Sequence, residues 1–257
     1  MWENGVNGSR KEDMKRKNRT FKENSGPKIR IAVCSPCGGS GVSLIAGTLA
    51  YIYAEKGRSV SLTELGKPGF FHSLDLEKKF LLRGFADYFA AAAQRKNMRS
   101  PEFLRARKRN EWQGINWIVN PSAASPEQIP EIMRLIYNAP DEYNILDCSG
   151  LAGDLLENVL AEADRIFIVL DPLPSRILPC TDSLQRLRIL FPEAALIVNR
   201  MNSGVHRGEL EKFLGSAVCT EVPAVSAETI YKAEYACVLP CTLGDGKQLI
   251  GSLKKHE

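Results

Sequence analysis

The sequence lacks any apolar run that approaches the ~18 residues needed for a helix across a bilayer, and its first residues lack the apolar segment of a secretory signal. Both absences predict a cytoplasmic protein. A formal net charge of only +4 over 257 residues gives no support for nucleic-acid binding by the molecule as a whole. Hydrophobic residues make up 44% and charged residues 25%, a balance typical of a globular domain with a large core.

Metal-binding and redox patterns are also missing or incomplete. Seven cysteines are scattered without the spacing of a zinc site, and reduced thiols are expected. Cys34 and Cys37 form a Cys-x-x-Cys pair, but Gly38 and Gly39 would break the helix that a thioredoxin-like site begins. A disulfide between Cys34 and Cys37 that distorts this turn remains an alternative. No role is assigned to the three histidines, His72, His206 and His256.

Strands and helices alternate along most of the chain. Residues 1–28 are polar and basic and predict a disordered tail, whereas residues 29–257 predict one domain. Several apolar runs resemble parallel strands buried on both faces, and helical segments connect them. The pattern predicts an α/β fold with a doubly wound, mostly parallel sheet and helices on both faces. The main predicted strands are 29–33, 59–65, 115–119, 143–146, 166–170 and 194–198.

A glycine-rich turn, Ser35–Ser43, lies between the first predicted strand and a helix predicted from Val42 to Lys56. Closely spaced glycines let successive backbone N–H groups point into one concavity, and the helix behind adds its positive end. Such a nest holds phosphate without any side chain. A tight strand-to-helix connection without a ligand is the plain alternative.

The segment Ser35–Ser43 resembles the phosphate loop of MinD/ParA-type P-loop ATPases, which reads Gly-Lys-Gly-Gly-x-Gly-Lys-Ser/Thr. Aligned by its glycines, this chain has a degenerate Walker A motif in which Cys37 and Val42 replace the two lysines. The resemblance implies bound ATP or ADP with Mg²⁺. It assigns to nucleotide binding Cys37, Gly38, Gly39, Ser40, Gly41, Val42 and Ser43.

The two replacements have unequal expected costs. In the family, the lysine at the position of Val42 contacts the nucleotide of its own chain, so its loss should weaken binding roughly 10- to 100-fold. The lysine at the position of Cys37 reaches across a dimer, and a cation supplied in that way is worth ~10³ to 10⁵ in rate. The resemblance therefore implies binding with weak or absent hydrolysis, hence a pseudo-ATPase.

Further matches follow downstream. Asp147 ends a buried strand, where the family's aspartate contacts the magnesium shell, so Ser43 and Asp147 are the implied metal residues. Glu64 stands near the family's water-positioning aspartate, and Glu64 and Asp147 are the catalytic candidates. Asn199 matches an asparagine that hydrogen-bonds adenine, and Arg200 is assigned to the nucleotide site with it. Capping a helix is the alternative for Asp147, and capping a turn is the alternative for Asn199.

Within the superfamily, three segments are most similar to the TadZ/CpaE branch, which localises pilus-assembly machinery: Leu74-Asp75, residues 84–89 and residues 114–121. The resemblance implies a localisation or assembly switch, a homodimer around nucleotide and protein partners in a pilus or secretion apparatus. It leaves open recruitment to the inner face of the membrane. The C-terminal stretch from Leu249 to Lys255 is too short and too interrupted by glycine for comparison with the membrane helix of MinD.

Two other functions and a second surface remain as alternatives. A nucleotide-free scaffold would keep only the fold, and an active ATPase would need a substitute cation, for which Arg176 is the candidate. A basic run could bind DNA phosphates or anionic lipid, although a solvated helix face is favoured. Its members are Arg95, Lys96, Arg99, Arg105, Arg107, Lys108 and Arg109.

Overall fold

The structure is a computed structural model that describes Pro27 and residues 29–66, 68–81, 86–119, 129–215 and 219–256. Apart from Pro27, the tail predicted over residues 1–28 lies outside this part of the chain. The predicted helix start at Ser125 and Pro126 lies outside it as well.

Eight strands form one sheet in the order β3-β4-β2-β5-β1-β6-β7-β8, and every neighbouring pair is parallel except β3 and β4. The central strand β1 is buried from Ile31 to Cys34, as expected for an apolar strand covered on both faces. The strands are β1 Ile29–Cys34, β2 Val60–Glu64, β3 Glu111–Trp112, β4 Ile115–Ile118, β5 Tyr143–Asp147, β6 Arg165–Leu170, β7 Ala195–Met201 and β8 Cys219–Pro223.

Helices connect the strands in chain order. Four short 3₁₀ segments follow α8, α11 and α12, at 178–180, 240–242, 244–246 and 254–256. The α-helices are α1 Val42–Glu55, α2 Gly69–Ser73, α3 Leu76–Leu81, α4 Tyr88–Ala93, α5 Pro101–Arg107, α6 Ile129–Asn138, α7 Gly153–Ala161, α8 Pro174–Ile177, α9 Thr181–Leu190, α10 Arg207–Leu214, α11 Ala227–Tyr235 and α12 Lys247–Leu253.

Two apolar layers cover the faces of the sheet. On one face, α1, α2, α3 and α12 pack against alternate residues of the central strands, including Ile31 and Val33. On the other face, α4, α6, α7 and α9 pack against the intervening residues, including Ala32 and Cys34. Because the two layers use opposite sides of the same strands, the predicted doubly wound α/β fold is confirmed.

The structure differs from the expected elements in two places. The predicted helical region between Phe70 and Asn110 is divided into the four short helices α2 to α5. After it, a hairpin joins β3 to β4 through Gln113 and Gly114, whose φ angles are 53° and 73°. Positive φ at both central residues is the geometry of a two-residue hairpin turn, and a two-residue strand is too short to leave a sequence pattern.

The C-terminal helix α12 belongs to the core. Leu249 and Leu253 are fully buried in the apolar layer that also contains α1. Among the described residues, no helix combines the length and the apolar character needed to cross a bilayer.

The predicted basic run is only partly a solvated surface. Arg107 forms an ion pair with the buried carboxylate of Asp141, and Arg99 donates a hydrogen bond to the carbonyl of Tyr137. These two cations therefore hold the α4–α5 region to the rest of the domain. Arg95, a third member of the run, is exposed.

Candidate functional site

The glycine-rich loop lies where the carboxyl ends of three central strands meet. It follows β1, whose neighbours on the two sides are β5 and β6. In open parallel sheets, ligands bind in the crevice beyond the carboxyl ends of the strands, where the order of connections reverses. The predicted phosphate loop therefore occupies the expected position for a ligand site.

Two glycines give the loop its curvature. Gly39 has φ +74° and Gly41 has φ +93°, in the left-handed region that glycine adopts without strain. Gly41 is the N-cap of α1 and supplies no side-chain hydrogen bond, so the first N–H groups of this 14-residue helix remain available to an anion. Behind the loop, the buried Ser40 hydroxyl donates to the carbonyl of Cys37 at 2.9 Å.

Asn199, on β7, stabilises the loop through a hydrogen bond to its backbone. Its Nδ2 donates to the carbonyl of Ser40 at 2.9 Å, and a Cβ on Gly41 would lie 2.2 Å from the same nitrogen. The register of β7 with β8 shifts between Val198 and Met201, and Arg200 within this irregular stretch has φ 63°. Asn199 thus supports the loop backbone, while its predicted contact with adenine stays a prediction.

The two lysine positions of the resemblance carry no charge. Burial, and then a hydrogen bond with the Cys180 thiol, raise the pKa of Cys37 to about 12, so its thiol is neutral at physiological pH. Val42 is 6% exposed and packs in the apolar layer beneath the loop. All seven cysteines are free thiols, and the thiol that contacts Cys37 is Cys180, not Cys34.

On one side of the loop, Asp147 ends β5 with its carboxylate fully buried. Its Oδ1 accepts a hydrogen bond from the Ser149 amide at 2.9 Å, and the Ser43 hydroxyl lies 3.3 Å from the Ser149 hydroxyl. Burial raises the pKa of Asp147, which the nearby Ser43 and Ser149 oppose. Asp147 Oδ2 has no hydrogen-bond partner among the described residues.

This arrangement fits Mg²⁺ better than a transition metal. No group of three or more His, Cys, Asp or Glu side chains in the described part of the chain could hold a metal ion. Mg²⁺ typically needs only one or two protein ligands beside phosphates and water. An unpartnered carboxylate oxygen of Asp147 and a hydroxyl at Ser43, at the start of α1, supply ligands of that kind.

Glu64, the last residue of β2, is the register partner of Asp147 on the neighbouring strand β5. Its Oε1 accepts a hydrogen bond from the amide of Phe70 at 2.7 Å, so the carboxyl caps the start of α2. Burial is the main cause that raises the pKa of Glu64 to about 8, and the charge of Asp147 adds to it. The site therefore holds Glu64 largely as a neutral acid at pH 7, and its predicted role in placing water stays a prediction.

The opposite side of the loop carries two arginines that share one carboxylate. Asp171, directly after β6, has a side chain only 6% exposed that forms ion pairs with Arg200 and, at 3.5 Å, with Arg176. Arg176 also donates to the carbonyl of Gly39 at 2.9 Å. The sequence singled out Arg200 and Arg176 separately but missed Asp171, whose only local signal is its place after an apolar strand.

A cavity of about 980 Å³ opens beside these arginines. Its lining lies in the segments after β6 and β7 and combines apolar residues, among them Leu173, Val205 and Phe213, with charged residues that include Arg176 and Arg200. A cleft of this size with both apolar and polar lining has the size of a small-molecule site.

Comparison with known proteins gives a fold but no close relative. No family model matches the chain, and no curated protein matches it. Among solved structures, a ParA family ATPase from Chlorobium tepidum is 18% identical with a TM-score of 0.66, covering 89% of this chain and 98% of its own. The chain has the fold of the MinD and ParA ATPases.

Two further structures have the same MinD/ParA fold. MinD in the MinC:MinD complex of Aquifex aeolicus is 15% identical with a TM-score of 0.66, covering 89% of this chain and 95% of its own. A plasmid partition protein from Borrelia burgdorferi bound to AMPPNP is 16% identical with a TM-score of 0.61, covering 90% and 100%. At such low identity the likeness establishes the fold alone.

Proposed function

We propose that this protein binds ATP or ADP with Mg²⁺ at the loop after β1 and hydrolyses ATP slowly or not at all. The observation that carries the proposal is the loop itself, whose glycines at 39 and 41 keep the left-handed backbone of a phosphate nest although neither lysine position is charged. The MinD/ParA fold and the AMPPNP bound to a partition protein of that fold support the same ligand class.

The metal would bind on the side of Asp147. Ser43 is the second residue of the helix behind the phosphate loop, and Asp147 has a buried oxygen without a protein partner among the described residues. A divalent cation there would offset the burial that raises the pKa of this carboxyl. Ser43 and Asp147 would hold Mg²⁺, which would supply positive charge to offset that of the phosphates.

Slow turnover follows from what the lysine positions now contain. A neutral Cys37 thiol, held against Cys180 of the same chain, cannot supply a cation to a phosphoryl transition state. Glu64, the candidate for placing the attacking water, is engaged with the amide of Phe70. Both features affect the transition state more than the bound nucleotide.

Calorimetric titration with ATP, ADP and GTP, with and without Mg²⁺, tests binding directly, and a phosphate-release assay tests turnover. We expect micromolar affinity for ATP and ADP, weaker binding without Mg²⁺, and release slower than about one turnover per minute. Faster release would refute the slow-hydrolysis part alone.

Variants at the metal side make the test specific. Asp147→Asn and Ser43→Ala should each remove most of the difference between titrations with and without Mg²⁺. Asp182→Asn, which changes an exposed carboxylate on α9, is the matched control and should leave that difference unchanged. Equal Mg²⁺ dependence in all three variants would place the metal elsewhere.

We further propose that nucleotide makes this protein a localisation or assembly switch that forms a homodimer, as the resemblance to the MinD/ParA family implies. The TadZ/CpaE assignment, with a pilus or secretion apparatus as partner and recruitment to the inner face of the membrane from the cytoplasm, is part of this proposal. A MinD of the same fold occurs in a MinC:MinD complex. Light scattering with ATP or ADP should show a dimer with ATP only, and cellular foci of a fluorescent fusion should disappear with Gly41→Ala.

A scaffold that has abandoned nucleotide is the second candidate. It is favoured by Val42, which packs in the apolar layer beneath the loop, and by Arg176, whose guanidinium occupies the outer side of the loop. No heat of binding with any nucleotide, together with a monomer or dimer that does not respond to ATP, would support the scaffold over the switch.

A further inference from the structure

One cation touches the phosphate loop from outside it. Arg176 lies on α8, 137 positions after Gly39, and its Nη1 donates to the Gly39 carbonyl at 2.9 Å. A Cβ on Gly39 would lie 2.9 Å from this nitrogen, so the guanidinium fills the space that a side chain at position 39 would need. The contact therefore depends on glycine at that position.

The rest of the guanidinium is available for another ligand. The Arg176 side chain is 43% exposed, and within the described residues the other polar contact of its guanidinium is the 3.5 Å ion pair with Asp171. An arginine presents five N–H donors in a planar fork that matches phosphate oxygens in pairs. Both of those contacts use Nη1, so Nε and Nη2 keep donors for a phosphate at the loop that Nη1 already contacts.

Because Arg200 also pairs with Asp171, Arg176 can move away with little loss of stability. Asp171 is nearly buried, and a buried carboxylate left without a partner is strongly destabilising. Its Oδ2 forms the closer ion pair with Arg200, and its Oδ1 accepts a hydrogen bond from the Leu173 amide at 3.1 Å. If Arg176 turns toward a ligand, Asp171 keeps both of these partners.

We propose that Arg176 is the residue that binds the β- and γ-phosphates of the nucleotide, in place of the lysine that Val42 has replaced. The inference rests on the proposed nucleotide binding. The cation comes from the same chain but from a different element, on the side of the loop opposite Asp147. The two arginines and Asp171 carry a net charge of +1, which complements the polyphosphate.

The test compares ligands that differ only in phosphate number. Titrations of wild type, Arg176→Ala and Arg176→Lys with ATP and with AMP, all with Mg²⁺, separate contact with the terminal phosphates from general damage. Arg176→Ala should weaken ATP binding roughly 10- to 100-fold and AMP binding less than about threefold. Arg176→Lys should recover part of the ATP affinity, and its salt dependence should stay close to that of wild type.

Arg58→Ala is the matched control, since Arg58 is an exposed arginine in the turn between α1 and β2, and it should bind ATP as wild type does. Unchanged ATP affinity in Arg176→Ala, or an equal loss for ATP and AMP, would overturn the inference while leaving the proposed function intact. Absence of nucleotide binding by wild type would refute both. Thermal melting checks the fold, and if the alanine variant fails to fold, the ATP-to-AMP ratio of Arg176→Lys decides.

Discussion

The two sides of the phosphate loop have opposite chemistry. We call the side at the ends of β2 and β5 the acidic side, formed by Glu64 and Asp147, each with one buried oxygen that has no partner among the described residues. The basic side, at the ends of β6 and β7, is formed by Asp171, Arg176 and Arg200, where cations outnumber the carboxylate. The loop between them has no charged side chain.

If the proposed function holds, a phosphate site exists here although its loop carries no charged side chain. The backbone of the loop would supply geometry, the acidic side would supply oxygen ligands for a cation, and the basic side would supply positive charge for phosphate. The two sides depend on different pairs of strands, so each side can be disturbed separately.

Gly66→Ala should have the largest effect, and it disrupts the acidic side. A Cβ at this position would lie 1.6 Å from the carbonyl oxygen of Ser149, so the ends of β2 and β5 would have to separate. We expect a loss of about 3 kcal/mol or more in the free energy of unfolding, at the upper end for overpacking, and a melting temperature lower by roughly 6–12 °C. Gly251→Ala is the control, because nothing lies within 4 Å of a Cβ at that position. An equal loss of stability there would show that the clash with Ser149 is not the cause.

Gly41→Ala should have the next largest effect, on the junction between the loop and the basic side. Its φ of +93° costs a residue with a Cβ about 1–2 kcal/mol, and the new Cβ would displace Asn199 from Ser40. We expect a melting temperature lower by roughly 4–8 °C and at least tenfold weaker ATP binding. Gly38→Ala changes the same loop where nothing lies within 4 Å, so a similar loss of affinity there would show that Gly41 has no special role.

The sequence predicts the parts of this site that depend on local order. The apolar strand before Ser35, the glycines at 39 and 41 and the helix from Val42 are consecutive, and the structure has them as predicted. Asp147 could be located because the predicted strand 143–146 ends just before it, and the structure has a strand from Tyr143 to Asp147. These features follow from periodicity and backbone freedom within a few residues.

The contacts that the sequence could not predict join distant parts of the chain. Arg176 meets Gly39 across 137 positions, and Asn199 meets Ser40 across 159. The register shift around Asn199 exists only relative to β8, so the sequence of β7 alone gives no signal for it. Such contacts depend on the strand order, which the alternation of elements leaves undetermined.

Glu64→Gln tests the acidic side through the pH dependence of protein stability in metal-free buffer. The Glu64 carboxyl has a pKa of 4.5 in the unfolded chain and about 8 in the folded protein. At pH values between these two, it is protonated in the folded protein and ionised in the unfolded chain. Stability should therefore fall with rising pH by up to ~1.4 kcal/mol per pH unit from this group, between about pH 5 and pH 8.

Urea unfolding of both proteins in EDTA measures the effect as a difference. Glu64→Gln keeps an oxygen that can accept from the Phe70 amide but cannot ionise, so its stability should decline less steeply as pH rises. Glu157→Gln, which changes a partly buried partner of Arg186, should follow the wild-type slope. Parallel curves for wild type and Glu64→Gln would show that Glu64 ionises normally.

Val42→Lys should have the smallest effect, and it tests whether the basic side has taken over the charge of the loop. The lysine stem can remain in the apolar layer while its ammonium reaches toward the loop. A charge-assisted hydrogen bond gains ~1.5–3 kcal/mol, and the lost packing of valine offsets part of it, so ATP affinity should rise roughly fivefold. Arg176→Ala should then cost less in this background than in wild type, because the two cations contact the same phosphates.

Val42→Met is the matched control, since it has a long unbranched side chain without a charge. If the methionine variant gains as much affinity as the lysine variant, packing beneath the loop is the cause. If the lysine variant gains affinity and Arg176→Ala costs the same in both backgrounds, the two cations act on different groups. The basic side would then stabilise the loop through the Gly39 carbonyl, and the loop would regain its own phosphate contact independently.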